Sequence, residues 1–298
     1  MSQTVLDYLE TRRELVNAAI DVYLAFGSET PSEIVEVMRY AVLNGGKRLR
    51  PILVIAGAEL FGGDSGRVMP TACGIELIHS YSLVHDDLPC MDDDDLRRGR
   101  PTVHKKFGDA MAVLAGDALL THGFGLIAEN AAVPGVTSEM TVRVIRQIAA
   151  ACGPTGMVGG QVQDIKSDGV DLDIESLRTL HRAKTGRLIT ASVEAGAILA
   201  GATDDEINLV VEYGNAIGLA FQIVDDVLGE IGDESKLGKP VGSDQARDKT
   251  TYASLFGIET AREMARSLVE ESRATLTDFG TAAQPLLDIA GFIIDRVY

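Results

Sequence analysis

The sequence predicts an all-α fold, a helical bundle that forms one domain over residues 1–298, on three observations. Apolar residues recur at intervals of three and four along most of the chain, as in Ile34, Val37 and Met38, and this is the period of an amphipathic helix. No segment shows the sustained alternation of a half-buried strand, and only 5% of the residues are aromatic. The chain contains no Pro/Ser-rich or charge-dense linker, so we expect a single large core.

Helix start and stop signals divide this pattern into about ten or more pieces. Thr30 before Pro31 and Thr203 before Asp204 are start signals. Glycine and proline supply most of the others, because glycine favours helix ends and proline cannot continue a helix. The remaining signals, in chain order, are Gly45-Gly46, Pro51 as the start of a helix, Gly62-Gly63, Pro101 after Gly99, Pro134-Gly135, Gly153-Pro154 and Gly238 to Pro240.

Composition limits the class of protein. The net charge of −17 argues against nucleic acid as a partner, because phosphates need a basic surface. An anionic substrate would therefore need a metal ion or a local basic patch. The three cysteines are widely spaced, which fits a reducing compartment. Met1 to Glu10 contains no apolar signal region, so we expect a soluble, cytoplasmic protein without membrane insertion.

Two aspartate-rich segments carry most of the chemical information. Asp86-Asp87 and the acidic run from Asp92 to Asp95 follow an apolar stretch over 75–84, and Asp225-Asp226 closes another over 216–224. Carboxylates at the end of a buried helix are unfavourable unless a cation meets them. Oxygen ligands suit Mg²⁺, which favours a few carboxylates plus substrate phosphates. A solvated acidic face and a calcium loop are the alternatives, although the EF-hand spacing is absent.

Helix geometry bears on the first segment. In a regular helix Asp86 and Asp92 would lie about 240° apart around the axis. Pro89 stands between them and cannot continue regular hydrogen bonding. We therefore expect the helix to end or distort near Pro89, which brings Asp92 back towards Asp86. His79 lies about 10.5 Å before Asp86 on the same face; a buried core histidine is the alternative there.

Basic residues are grouped near these acidic segments. The segment GGKRLRP at 45–51 places Lys47 and Arg50 three residues apart, where both can face a bound anion. The alternative is a glycine turn with solvated side chains, and the segment lacks the P-loop pattern. Three further groups are Arg97, Arg98 and Arg100; Lys184-Thr185-Gly186-Arg187; and Lys236, Lys239 and Lys249.

Gly156, Gly159 and Gly160 lie in an otherwise helical stretch. Each glycine is about 1 kcal/mol less favourable than alanine in a helix. Close helix packing or room for a ligand must offset this.

Together these motifs resemble the short-chain trans-polyprenyl diphosphate synthases, and most of all the bacterial farnesyl diphosphate synthases. The resemblance covers essentially the whole chain and implies a helical bundle of the isoprenoid synthase type. Its motifs, in order, are GGKRLRP at 45–51, ELIHSYSLVHDDLPCMDDDDLRRGRPTVH at 76–104, GDAL at 116–119, GGQVQD at 159–164, KTG at 184–186, FQIVDD at 221–226, LGKPVGSD at 237–244 and KTTY at 249–252.

The resemblance implies a role for each matching residue. Asp86 and Asp92 would bind two Mg²⁺ ions and Asp225 a third, with Asp87, Asp226 and Asp244 as supporting groups. Isopentenyl diphosphate would be bound by Gly46, Lys47, Arg50, His79 and Arg98. The allylic diphosphate would be bound by Arg97, Lys184, Thr185, Gln222, Lys239 and Lys249, of which Arg97, Lys184, Thr185 and Gln222 would act in catalysis. The resemblance also implies a homodimer.

One position departs from the family pattern. The third position of the second aspartate motif is Gly229, followed by Glu230. Glu230 is four residues after Asp226, so both can share a helix face. We hypothesise that Glu230 partly replaces the missing carboxylate, or that Asp225 alone suffices.

Product length is expected to depend on Tyr81 and Ser82. Tyr81 lies about 7.5 Å before Asp86 along the helix and would form the floor of an apolar pocket; an ordinary core tyrosine is the alternative. An aromatic residue there resembles the farnesyl-forming pattern, so we expect farnesyl diphosphate, with geranylgeranyl diphosphate as the alternative. A terpene cyclase and an inactive paralogue are the more distant alternatives.

Overall fold

The computed structural model describes residues 3–231 and 249–295, and within them the chain is almost wholly helical. Lys236, Lys239 and Asp244 lie outside the described residues. The helices are α1 Gln3–Tyr23, α2 Ser32–Leu43, α3 Leu49–Glu59, α4 Ser65–Asp86, α5 Val103–Phe107, α6 Asp109–Glu129, α7 Ser138–Cys152, α8 Met157–Lys166, α9 Ile174–His181, α10 Arg187–Ala200, α11 Asp204–Ile231, α12 Tyr252–Phe256, α13 Ile258–Thr275 and α14 Gln284–Ile294.

Three short helical turns and a small hairpin complete these elements. The turns are Asn130–Ala132, the π-helical Arg182–Gly186 and Thr277–Ala283. The hairpin pairs β1 Leu96–Arg97 with β2 Arg100–Pro101 in antiparallel register. The prediction of an all-α fold is confirmed. That residues 1–298 form one domain stays a prediction.

Local sequence explains most helix boundaries. Side chains cap α4 and α7, because Asp64 accepts a hydrogen bond from the Arg67 N–H and Thr137 accepts one from Met140. Such caps satisfy N–H groups that have no partner inside the helix. The predicted start at Pro51 is two residues late, since α3 begins at Leu49. Proline is tolerated within the first turn, where its missing N–H removes no helix hydrogen bond.

The core lies between α3, α4, α10 and α11, whose inward side chains are almost fully buried. Glycines let these helices approach closely. A Cβ on Gly196 of α10 would stand 2.0 Å from the Val54 carbonyl oxygen of α3, and one on Gly57 would stand 2.4 Å from the Val193 carbonyl oxygen. At these points the backbones of α3 and α10 are in direct contact.

The glycine-rich stretch at the start of α8 is packed, not open. A Cβ on Gly160 would stand 2.4 Å from the Lys184 backbone nitrogen. One on Gly159 would stand 2.0 Å from the Pro154 carbonyl oxygen. Close packing, the first of the two explanations, is therefore confirmed for these residues.

Arg48 holds the GGKRLRP segment to the core. Its guanidinium pairs with Glu76 at 2.6 Å, and the two side chains are only 1% and 2% exposed. It also donates to the Asn17 side chain at 2.8 Å and the Val42 carbonyl at 2.6 Å. These bonds join α1, α2 and α4 to the start of α3.

Two of the helices pass the length and hydropathy test for a membrane span. They are α6, together with the turn that follows it, and α11. Both contribute buried side chains to the bundle, and core helices of soluble proteins pass the same test. The prediction that the chain does not insert into a membrane stays a prediction.

We expect Gly196→Ala to destabilise the protein by about 1 to 3 kcal/mol, because the added methyl group forces α3 and α10 apart. Gly125→Ala in α6 is the matched control, since no atom lies within 4 Å of its Cβ position. This control should stabilise the protein by up to about 1 kcal/mol through helix propensity. Urea unfolding followed by circular dichroism measures both. Equal stability of Gly196→Ala and the parent would contradict the close approach.

Candidate active site

The end of α4 brings Asp86 and Asp92 together. The helix ends at Asp86, and the chain then turns so that the Asp92 N–H donates to the Asp86 carbonyl at 2.8 Å. The Asp93 N–H likewise donates to the Leu88 carbonyl at 3.1 Å. The prediction that the helix breaks near Pro89 and returns Asp92 to Asp86 is confirmed.

Among the described residues, the cations near Asp86 do not offset the burial of its carboxylate. Burial raises the pKa of Asp86 to about 6, and the charges of Asp92 and Asp87 act in the same direction. Lys184 and Arg97 oppose the rise without cancelling it. A hard cation bound to these carboxylate oxygens would restore the charge balance. Mg²⁺ is such a cation, because it prefers oxygen ligands.

Asp87 forms an ion pair with Arg97. Both its oxygens accept hydrogen bonds from the Arg97 Nε, at 2.8 and 2.9 Å, and Oδ1 also accepts one from Nη2 at 2.5 Å. Asp94 lies 3.7 Å from the same guanidinium. Burial alone would lower the pKa of Arg97, but the hydrogen bonds and charge of Asp87 raise it. Asp87 therefore positions Arg97, and its supporting role at a metal ion stays a prediction.

A second group of cations lies at the start of α3. Arg98 donates a hydrogen bond to the Gly45 carbonyl, and a Cβ on Gly46 would stand 2.7 Å from its Nη1. Glycine is thus required at Gly46 for the Arg98 side chain to reach this loop. Lys47 is exposed on the same loop.

Arg50 and His79 belong to the same group. Burial lowers the pKa of Arg50 to about 10, although Glu76 and Asp225 oppose this. Burial also lowers the pKa of His79, and the charges of Arg50 and Arg98 add to the effect. The imidazole is therefore neutral at pH 7. The Arg50 Nε is buried and has no hydrogen-bond partner among the described residues, which makes it a donor available to a ligand oxygen.

The second aspartate pair lies on α11, across the site from α3. Asp225 is close enough for its charge to act on Arg50. Asp226 accepts a hydrogen bond from the Tyr252 N–H at 2.8 Å and lies 3.8 Å from the His181 imidazole. Asp226 thereby anchors the start of α12. Gln222 lies one turn earlier on α11, and Glu230 lies one turn later because the helix continues to Ile231.

Two lysines meet on one carboxylate. Lys184 and Lys249 both donate to Oδ2 of Asp164, at 2.7 and 2.8 Å. Burial would raise the pKa of Asp164, but the two lysines lower it to about 2. For Lys184 burial acts in the opposite direction and would lower the pKa, but the charges of Asp164, Asp86 and Asp92 raise it. Lys184 thus stays charged between Asp164 and the first aspartate cluster.

Asp164 is a residue of the candidate site that the sequence argument did not single out. Asp164 ends the GGQVQD segment, which was noted in the sequence. In the structure, Gly160 of this segment lets α8 contact the Lys184 backbone. Without the fold, nothing in that segment indicates which cations Asp164 meets.

Lys184 and Thr185 lie in the π-helical turn Arg182–Gly186. The Arg187 N–H donates to the Arg182 carbonyl, five residues back. Single π-turns within α-helices are frequent at functional sites. Gly218 of α11 packs against this turn, since its Cβ position is 3.0 Å from the Gly186 Cα. The turn therefore faces the α11 side of the site.

Tyr81 and Ser82 lie one turn below Asp86 on α4. Tyr81 is only 7% exposed, and its ring is in edge contact with the His85 ring. The Ser82 hydroxyl donates to the His79 carbonyl at 2.8 Å. Tyr81 is therefore a buried side chain of α4, and its role as the floor of a pocket stays a prediction.

The candidate metal ligands are divided between α4 and α11. Within residues 3–231 and 249–295 no three His, Cys, Asp or Glu side chains are already grouped as ligands of one ion. Mg²⁺ is usually held by one or two carboxylates together with water and substrate phosphates. The carboxylates present fit that mode of binding.

The comparisons with known proteins agree with this geometry. The sequence profile of the polyprenyl synthetase family matches residues 31–282. The large subunit 1 of a chloroplastic heterodimeric geranylgeranyl pyrophosphate synthase from Arabidopsis thaliana is 46% identical, with 98% of this chain and 79% of the relative covered. A geranylgeranyl diphosphate synthase from Cyanophora paradoxa is 44% identical over 98% and 96% of the two chains.

A solved structure extends the similarity to the fold. The apo structure of an FPP/GFPP synthase from Zymomonas mobilis superimposes with a TM-score of 0.87 at 38% identity, covering 99% of this chain and all of that one. The resemblance to short-chain prenyl diphosphate synthases is confirmed. The chain therefore belongs to the polyprenyl synthetase family.

Proposed function

We propose that this prenyltransferase condenses isopentenyl diphosphate with dimethylallyl and then geranyl diphosphate and stops at farnesyl diphosphate. The observation that carries the proposal is the presence of two separate cationic groups beside the aspartates. Arg50 and Arg98 lie at the start of α3, while Lys184 and Lys249 lie around Asp164. Two diphosphates therefore have separate binding groups, whereas a terpene cyclase needs only one. Retention of both groups also argues against an inactive paralogue.

The two substrates would be bound by different chemistry. The buried Arg50 Nε, the neutral His79 and the guanidinium of Arg98 form a metal-independent site for isopentenyl diphosphate. Lys184, Lys249 and Arg97 surround the carboxylates, so the allylic diphosphate would bind there with Mg²⁺ held by Asp86, Asp92 and Asp225. When bound, Mg²⁺ neutralises charge that develops on the departing diphosphate. The three ions implied by the family resemblance remain part of the proposal.

The proposed reaction has three steps. The allylic C–O bond breaks first, and its electron pair leaves with the diphosphate, which Arg97, Lys184 and Lys249 stabilise. The double bond of isopentenyl diphosphate then attacks the allylic carbon while Thr185 and Gln222 face the cation. Finally the released diphosphate takes the proton from the adjacent carbon, and a new double bond forms. Exclusion of water protects the cation from capture.

The product length is the finer part of the proposal. Tyr81 supports farnesyl diphosphate, because its buried ring lies one turn below Asp86 in the direction in which a chain would grow. The relatives from Arabidopsis thaliana and Cyanophora paradoxa are named geranylgeranyl synthases, and this favours the C20 product as the second candidate. Product analysis with isopentenyl and dimethylallyl diphosphate separates the two.

We also propose a homodimer located in the cytoplasm. The exposed side of α6 supports self-association, since Val113 and Leu114 are 42% and 54% exposed. Light scattering at several protein concentrations tests the assembly.

We expect Tyr81→Ala to lengthen the main product from C15 to C20, because the floor of the pocket is removed. Tyr81→Phe keeps the ring and should keep the C15 product. Mass spectrometry of the dephosphorylated products, with Mg²⁺ and with EDTA, measures this. An unchanged C15 profile in an active Tyr81→Ala enzyme would contradict the role of Tyr81.

Arg50→Gln should raise the KM for isopentenyl diphosphate by roughly 10- to 100-fold, because a charged hydrogen bond is lost. The KM for geranyl diphosphate should change much less. Lys249→Gln should show the opposite selectivity, and Lys184 still pairs with Asp164 in that variant. Steady-state kinetics with each substrate varied in turn tests the division. Equal effects on both KM values in both variants would argue for one shared site.

Asp86→Asn should abolish turnover but stabilise the metal-free protein at neutral pH. Because burial raises the Asp86 pKa from 3.8 to about 6, its contribution to stability is lost as the pH rises through this interval. In EDTA the melting temperature of the variant should exceed the parent's above about pH 6, and the two should converge below about pH 4.

The control for this pH series is Asp117→Asn, at an exposed position on α6. It should show no such pH-dependent difference from the parent. A constant difference for Asp86→Asn between pH 4 and pH 7 would contradict a buried, uncompensated carboxylate.

A further inference from the structure

The Tyr81 ring is supported from above by His85. The two residues are four apart on α4, which places them on one helix face. Their ring centroids are 5.7 Å apart and the ring planes meet at 83°. This edge-to-face contact is a favoured geometry for aromatic pairs. A Tyr81 side chain that rotates out of the pocket has to break it.

The His85 imidazole is itself held by α6. Its Nε2 donates to the Val113 carbonyl at 3.1 Å, and this bond selects the tautomer with the proton on Nε2. A Cβ on Gly116 would stand 2.0 Å from the same Nε2 and 2.4 Å from Cδ2. The imidazole therefore occupies a notch in α6 that only glycine leaves open.

The end of α7 also lies near Tyr81. Burial raises the pKa of Tyr81 to about 12, and the charge of Cys152 acts in the same direction. Cys152 is the last residue of α7. The phenol ring thus has the His85 imidazole in contact with it and Cys152 in its neighbourhood.

We propose that His85 is a positioning residue that sets product length by holding the Tyr81 ring across the pocket. The inference rests on the proposed function, because it assigns His85 a role only in chain termination. With Tyr81 held in place, farnesyl diphosphate has no room to enter the pocket as an allylic substrate. When Tyr81 is released, the same condensation adds one more C5 unit and gives a C20 product.

His85 also precedes Asp86, so an effect on the metal site is the rival explanation. The two explanations differ in what they change. A disturbed metal site alters kcat and the Mg²⁺ dependence but leaves the ratio of C20 to C15 products as in the parent. A released Tyr81 changes that ratio and the kcat/KM for farnesyl diphosphate as substrate.

The test uses the full chain with Mg²⁺, isopentenyl diphosphate and dimethylallyl diphosphate. His85→Ala should raise the ratio of C20 to C15 by about tenfold, which corresponds to about 1.4 kcal/mol. Gly116→Ala should raise it as well, because the added methyl group displaces the imidazole while both rings remain in the chain. His85→Gln should stay closer to the parent, since its amide can still donate to the Val113 carbonyl.

The decisive comparison is a double-mutant cycle with Tyr81→Ala. If His85 acts through Tyr81, then His85→Ala adds nothing to the product length of the Tyr81→Ala enzyme. A full additional lengthening in that background would overturn the proposal, as would a parental product ratio in an active His85→Ala enzyme. Where His85→Ala fails to fold, Gly116→Ala carries the same cycle.

The parent enzyme in the same assay separates this inference from the proposed function. A parent that stops at C15 supports the proposed function whatever the variants do. A parent that makes C20 overturns the C15 proposal, and His85 is then judged by whether its variants lengthen the product beyond the parent's and lose that effect in the Tyr81→Ala background.

Discussion

The structure depends on ion pairs that neutralise the carboxylates gathered at one end of the helical bundle. Carboxylates from α4, α8 and α11 converge there, and each needs a cation in a medium of low dielectric constant. Arg97 neutralises Asp87, and two lysines neutralise Asp164. These pairs also place the cations beside the site. The pKa of Asp86 stays raised. The negative charge that the described cations do not neutralise therefore lies where a metal ion and a diphosphate would bind.

The basic segment 45–51, which leads into α3, divides its cations in a similar way. Arg48 pairs with the buried Glu76, whereas Lys47 is exposed. The Arg50 Nε has no hydrogen-bond partner in the part of the chain that the structure describes. Removing either member of a buried pair leaves an uncompensated charge, which is strongly unfavourable. The internal pair therefore fixes the loop conformation, and the loop conformation in turn sets the direction of Arg50. In the proposed function, Arg48 therefore stabilises the fold while its neighbour Arg50 binds substrate.

Sequence alone predicts the features that depend on near neighbours. The helical period and the break at Pro89 are enough to anticipate the return of Asp92 to Asp86. The division of labour between Arg48 and Arg50 was not predictable, because it depends on Glu76 from another helix. Asp164 was missed for the same reason, since its lysines lie 20 and 85 residues further along the chain. Such long-range meetings require the fold.

Product length is the property that whole-chain similarity describes least well. An identity of 46% over 295 residues reflects mainly the helical bundle and the candidate diphosphate-binding groups. Enzymes that make products of different length can share both. In the proposed function, the depth of the pocket depends on the side chain of Tyr81 and on the contacts that hold this side chain in place. The contacts of Tyr81 therefore bear more directly on product length than the name of a relative does. Through the His85 imidazole, which fits against Gly116, α6 is in indirect contact with the proposed pocket floor.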